Sequence, residues 1–87
     1  MTTGEEQLAL QHRLQEAEDD LIAAGLQHVT IDGTMGVFTW VRRGAHRMPA
    51  IAVVIDDIQV IEDMIVSQRW ADIIVPTDHG TWMWRPR

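Results

Sequence analysis

Gly80-Thr81-Trp82-Met83-Trp84-Arg85-Pro86-Arg87 gathers two of the chain's four tryptophans beside two arginines. A counterpart stands upstream in Gly36-Val37-Phe38-Thr39-Trp40-Val41-Arg42. In both stretches a glycine precedes two large rings spaced two residues apart, and residues two apart share one face of a strand. Setting Gly36 against Gly80 lays Phe38 on Trp82 and Trp40 on Trp84, and carries residues 29–31 onto residues 73–75. Each half then reads as a helix followed by a hairpin.

In the first hairpin, His28-Val29-Thr30-Ile31 alternates polar and apolar, Asp32-Gly33-Thr34-Met35-Gly36 has turn chemistry, and Val37-Phe38-Thr39-Trp40-Val41 is β-branched and aromatic. Phe38 and Trp40 lie on one face, Val37 and Val41 on the other. Neither is a comfortable solvent face, whereas antiparallel sheets usually wet one side, so a second covering layer is expected. In the second hairpin Ile73-Ile74-Val75 leads into Pro76, the turn Thr77-Asp78-His79-Gly80 follows, and residues 81–85 return.

The helices follow from apolar spacing. Thr3 with Glu6 fits a capping box, and Leu10, Leu14, Ala17, Leu21 and Ala24 recur at intervals of four and three, widened by Leu8 and Ile22. Arg13, Glu16, Glu18, Asp19 and Asp20 fall on the opposite, solvated face. Gly25 supplies a left-handed stop, with Leu26 after it for the hydrophobic contact of a Schellman motif. The first helix therefore runs from about Gly4 to Ala24. Asp56 with Gln59 marks a second cap, after which Ile58, Ile61 and Ile65 fall at helical spacing beside Val60 and Met64, giving a helix from about Asp57 to Arg69. Its β-branched content leaves residues 58–61 open to a strand reading.

Between the halves lies a basic connection, Arg42-Arg43-Gly44-Ala45-His46-Arg47, closed by Pro49. The run Ala50-Ile51-Ala52-Val53-Val54-Ile55 reads as a strand buried on both faces and central in the sheet. Ile51, Val53 and Ile55 lie on one side; Ala50, Ala52 and Val54 on the other. The expected fold is one α+β domain over residues 1–87: two helices packed on a mainly antiparallel sheet of about five strands, in the order helix-hairpin, strand, helix-hairpin.

Composition bounds the chemistry. The chain has 87 residues, an apolar share of 46% and a charged share of 23%, as in ordinary globular domains. A core of this size is small, and self-association is its natural reinforcement. With no cysteine, neither a disulfide framework nor a thiolate metal site can form. An acidic amino terminus and the lack of any long apolar run suggest a cytoplasmic protein that does not engage membranes. All seven basic residues are arginine, while Lys, Asn and Tyr are missing. Those types are spelled by AT-rich codons, which points to a GC-rich genome, bacterial or phage.

Sites are scarce. His12, His28, His46 and His79 form no ligand-spaced pair, and only the adjacency of Asp78 and His79 invites a metal reading. Asp56, Asp57, Glu62 and Asp63 could supply paired carboxylates or magnesium ligands; read structurally, they cap the second helix and complement its dipole. Ser67, the only serine, supports no catalytic triad. Gly33 and Gly36 are turn glycines and form no phosphate loop. No catalytic residue, metal site or cofactor is assigned.

Three classes of function remain. The leading expectation is a non-enzymatic protein–protein interaction module, self-associating as a homodimer, or a phage or mobile-element accessory protein that binds and modulates a host protein. Its interface residues would be Trp82, Trp84, Arg85, Phe38, Trp40, Arg42 and Arg43, since Trp and Arg are favoured interface anchors. The alternative uses the same Arg and Trp groups, with His46, Arg47 and Arg87, to stack on single-stranded nucleic acid. A net charge of −6 opposes it. An enzyme subunit or metal protein built on the carboxylates and His79 is third. The acidic run from Glu16 to Asp20 admits a phosphate-mimic reading, set aside for that of a solvated helix face.

Overall fold

A computed structural model describes residues 3–45, 50–51 and 58–87. Helix α1 spans Thr3–Ala23, strand β1 His28–Asp32, β2 Gly36–Arg42, β3 Ala50–Ile51, helix α2 Ile58–Ser67, β4 Ile73–Pro76 and β5 Gly80–Pro86. The fold is α+β. β1, β2, β5 and β4 form an antiparallel sheet, and β3 adds a two-residue parallel edge beside β1, giving the order β3-β1-β2-β5-β4.

Expectation and structure differ in this sheet at one strand. The described part of the apolar run, Ala50–Ile51, is not central but lies at the edge, paired through Val29↔Ala50 and Thr30↔Ile51. The centre is the β2–β5 seam, where Phe38 faces Trp84, Thr39 faces Met83 and Trp40 faces Trp82. Long strands with large rings on one face gain most from being flanked on both sides, so they take the middle. Residues 52–55, the cap at Asp56, Asp57, and the basic residues His46 and Arg47 with Pro49 lie outside the described residues.

Residues 58–61 are helical, resolving the ambiguity in favour of α2. Ile58, Ile61 and Ile65 of α2 and Leu10, Leu14, Ala17 and Leu21 of α1 are buried against Val29, Ile31, Phe38, Trp40, Val75, Trp82 and Trp84. Both helices thus cover the same sheet face. The covered rings pack on one another, with Phe38 edge-on to Trp82 at 6.2 Å and Trp40 tilted on Trp82 at 6.5 Å. Truncating a buried ring of this kind costs about 3–5 kcal/mol. The exposed ion pairs Arg13–Glu16 and Arg85–Asp72 contribute about 0–1 kcal/mol each, so the rings dominate. Ala24 and Leu8, expected on the apolar stripe, are exposed.

The shift that carries Gly36 to Gly80 relates far more than the rings. It takes Glu18 to Glu62, Leu21 to Ile65, Gly25 to Arg69 and Leu26 to Trp70. Both helices end in the same Schellman pair of bonds. Leu26 N–H donates to Leu21 O at 3.1 Å and Gly25 N–H to Ile22 O at 2.9 Å; Trp70 N–H donates to Ile65 O at 3.0 Å and Arg69 N–H to Val66 O at 2.9 Å. Both hairpin turns close alike, Gly33 N–H on Gly36 O and Thr77 N–H on Gly80 O. The two helix-hairpin units are therefore related by an approximate twofold axis passing between Thr39 and Met83.

Candidate functional site

Two glutamates tie the halves together. Glu18, placed on the solvated face by its neighbours in sequence, is fully buried, and so is Glu62, placed among the helix-capping carboxylates. Both readings are corrected by the same geometry: each side chain reaches from its own helix to the hairpin turn of the other half. Glu18 Oε2 accepts from Trp40 Nε1 at 2.9 Å and from the Thr77 hydroxyl, while Oε1 accepts from His79 N–H at 3.3 Å. Glu62 Oε2 accepts from Gly36 N–H at 3.0 Å. Buried carboxylates persist where donors meet them, and Glu18 has three.

The turns are shaped to admit the rings. A Cβ on Gly80 would lie 2.6 Å from Trp40 Nε1, and one on Gly36 would lie 2.6 Å from Trp84 ring carbons. That is why a glycine precedes the ring pair in each half: the turn of one hairpin is the floor under the terminal ring of the other. The strand ends exchange bonds in the same sense, Arg43 N–H on His79 O at 2.7 Å and Arg87 N–H on Met35 O at 2.9 Å. The likeness is incomplete, since Glu62 Oε1 and Trp84 Nε1, the counterparts of a bonded pair in the first half, have no hydrogen-bond partner.

These contacts decide what the expected interface residues can offer. Phe38, Trp40, Trp82 and Trp84 are core residues under the helices, Trp40 with no exposed surface at all. Arg85 and Arg43 are exposed and Arg42 is half-buried, so the structure separates the arginines from the rings. A stacking surface for bases built on Trp40, Trp82 and Trp84 is not presented. Trp70 is half-buried, packed against the core from the side.

What the helices leave uncovered is the opposite sheet face: Thr30 on β1, Val37, Thr39 and Val41 on β2, Thr81 and Met83 on β5, and Ile74 on β4. The first six are half-buried and Ile74 is 63% exposed. Alternation makes this face visible in sequence once the rings are known to face the helices. Glu18 and Glu62 were missed because a glutamate on a helix ordinarily reads as solvated; their match under the Gly36-to-Gly80 shift was the signal that could have found them.

Asp78, paired in sequence with His79, accepts a hydrogen bond from Gln15 Nε2 at 2.6 Å. Among the described residues no group of three His, Asp or Glu side chains converges to hold a metal ion, and no helix is long and apolar enough to cross a membrane. No protein-family model, curated protein or solved structure matches the chain.

Proposed function

We propose that the chain is a non-enzymatic protein–protein interaction module that self-associates through the open face of its sheet. The observation that carries this reading is the composition of that face. Val37, Val41, Met83 and Ile74 interleaved with Thr30, Thr39 and Thr81 are strand residues suited to burial, and no described helix covers them. The approximate twofold axis passes through the centre of the face, between Thr39 and Met83. A second copy laid on the same face would make an isologous contact, the geometry of a twofold homodimer. Arg85, in phase with Thr81 and Met83 along β5, borders the patch, in keeping with a polar rim around an apolar centre.

The finer reading, an accessory protein of phage or mobile-element origin that modulates a host protein, rests on size, acidity and composition. It belongs to the same class of function and adds no residue to the face. Light scattering across a concentration series tests self-association directly. The expected result is a dimer mass for the wild type and a monomer mass for Met83→Glu and Val41→Glu, both with unchanged far-UV circular dichroism. A wild-type chain that stays monomeric at every concentration overturns the reading.

A further inference from the structure

The two halves part company in chemistry where their helices end. The shift that takes Gly36 to Gly80 also takes Ala23 to Ser67, Ala24 to Gln68 and Leu26 to Trp70. After α1 the helix stop is served by the apolar contact of Leu26; after α2 the same place carries a hydroxyl, an amide and an indole. Those three side chains, with Met64 of α2 and Glu6 from the beginning of α1, wall a cavity of about 180 Å³. We infer that this cavity binds a primary alkylammonium group, the head of a lysine side chain or of a free aliphatic amine.

Each wall narrows the guest. Glu6 Oε2 is buried and has no hydrogen-bond donor. A buried carboxylate oxygen without a donor is costly, and a positively charged donor makes the strongest bond to it. Trp70 is half-buried, with part of its side chain against the core and part lining the cavity. Indole is the aromatic side chain that attracts a cation most strongly, and the Met64 thioether beside it is soft and apolar. The Ser67 hydroxyl donates to Met64 O at 3.0 Å, so its proton is already engaged. An unmet carboxylate oxygen, an indole and a thioether together suit a compact cation on a hydrocarbon stem. A quaternary ammonium has no N–H for Glu6, and a guanidinium presents a planar fork that is matched by a pair of acceptors.

Size and charge agree with this guest. An apolar cavity of about 150 Å³ holds benzene, so one of about 180 Å³ admits a butylammonium. Arg69, the neighbour of Trp70, is exposed and is not among the cavity walls. All seven basic residues of the chain are arginine, so neither this molecule nor a second copy of it supplies a side-chain ammonium. A net charge of −6 favours the approach of a cation. The cavity lies in the helix layer, away from the open face of the sheet, so ligand binding here and self-association there are read separately.

The probe is n-butylammonium chloride titrated into the full chain at constant ionic strength, followed by NMR of the Trp70 indole N–H, the Met64 methyl and the Glu6 amide, with sodium and tetramethylammonium chlorides as controls. Saturable shifts at those groups with butylammonium alone are expected. Glu6→Gln should weaken binding about tenfold, the loss expected when a charge-assisted hydrogen bond becomes a neutral one. Trp70→Leu installs the residue that serves the same stop after α1, so it should keep the fold while weakening binding several-fold. A lysine tripeptide with blocked ends distinguishes the sources. Its binding at the same groups assigns the site to a lysine of another protein; its failure to bind where butylammonium does assigns the site to a free amine. The proposal is overturned by the absence of saturable shifts at tens of millimolar butylammonium, by equal shifts with sodium or tetramethylammonium, or by unchanged affinity in Glu6→Gln.

Discussion

Glu18 and Glu62 show how one residue type does two jobs that its sequence context hides. Glu18 satisfies the Trp40 indole, the Thr77 hydroxyl and the His79 amide; Glu62 satisfies the Gly36 amide. Removing an acceptor strands its donors in a water-poor interior, at about 1–3 kcal/mol for each buried group left unpaired. Glu18→Ala is therefore expected to lower unfolding free energy by about 3 kcal/mol or more, and Glu62→Ala by less, since only one donor is lost. Urea denaturation followed by tryptophan fluorescence measures both. Equal effects would show that the number of donors does not set the cost. The geometric reason for these glutamates was absent from local pattern, which places position 18 among Glu16, Asp19 and Asp20.

At the scale of elements, helix ends show sequence and structure agreeing by different routes. Gly25, with φ of 78°, makes the expected left-handed stop at no steric cost. The equivalent position in the second half is Arg69, with φ of 57°, and it makes the same pair of bonds with a side chain present. A non-glycine residue there costs about 1–2 kcal/mol, partly offset because glycine loses more freedom on folding. Arg69→Gly is expected to stabilise the chain by about 0.5–1 kcal/mol, seen as a rise in Tm by calorimetry, whereas Gly25→Arg should destabilise by a similar amount. Strand placement was legible for the hairpins, where glycine spacing and ring alternation fix register. It was misread for β3. A continuous apolar run signals burial on both faces, but burial does not reveal which neighbours a strand takes.

For the whole molecule, the exchange of contacts between halves means that neither helix-hairpin unit completes its own core. Glu18 and the Gly80 turn belong to different halves, as do Glu62 and the Gly36 turn, and the rings of β2 and β5 pack across the seam. A chain of residues 1–45 alone would expose Phe38 and Trp40 and leave Glu18 without Thr77 and His79. It is expected to be unfolded at 25 °C by far-UV circular dichroism. Below about 40 residues a domain seldom supports itself, and a fragment near that limit has no surplus to lose. A cooperatively folded fragment would show that the halves are separable units.

The candidate surfaces divide along the same line. Phe38, Trp40, Trp82 and Trp84 were recognisable as one regular set of rings, but composition alone also made them interface anchors, and only packing shows that α1 and α2 consume them. The open face of Thr30, Thr39, Met83 and Ile74 emerges when the rings are assigned to the other side.

By itself the sequence determined the α+β class, both helices, both hairpins and the relation between Gly36-Val37-Phe38-Thr39-Trp40 and Gly80-Thr81-Trp82-Met83-Trp84, because these rest on period, turn chemistry and glycine spacing within short stretches of chain. Tertiary structure decided that β3 is an edge, that the rings are core and that Glu18 and Glu62 are buried. Those outcomes depend on which half reaches into which, a choice made by side-chain contacts across the twofold seam between residues far apart in the chain.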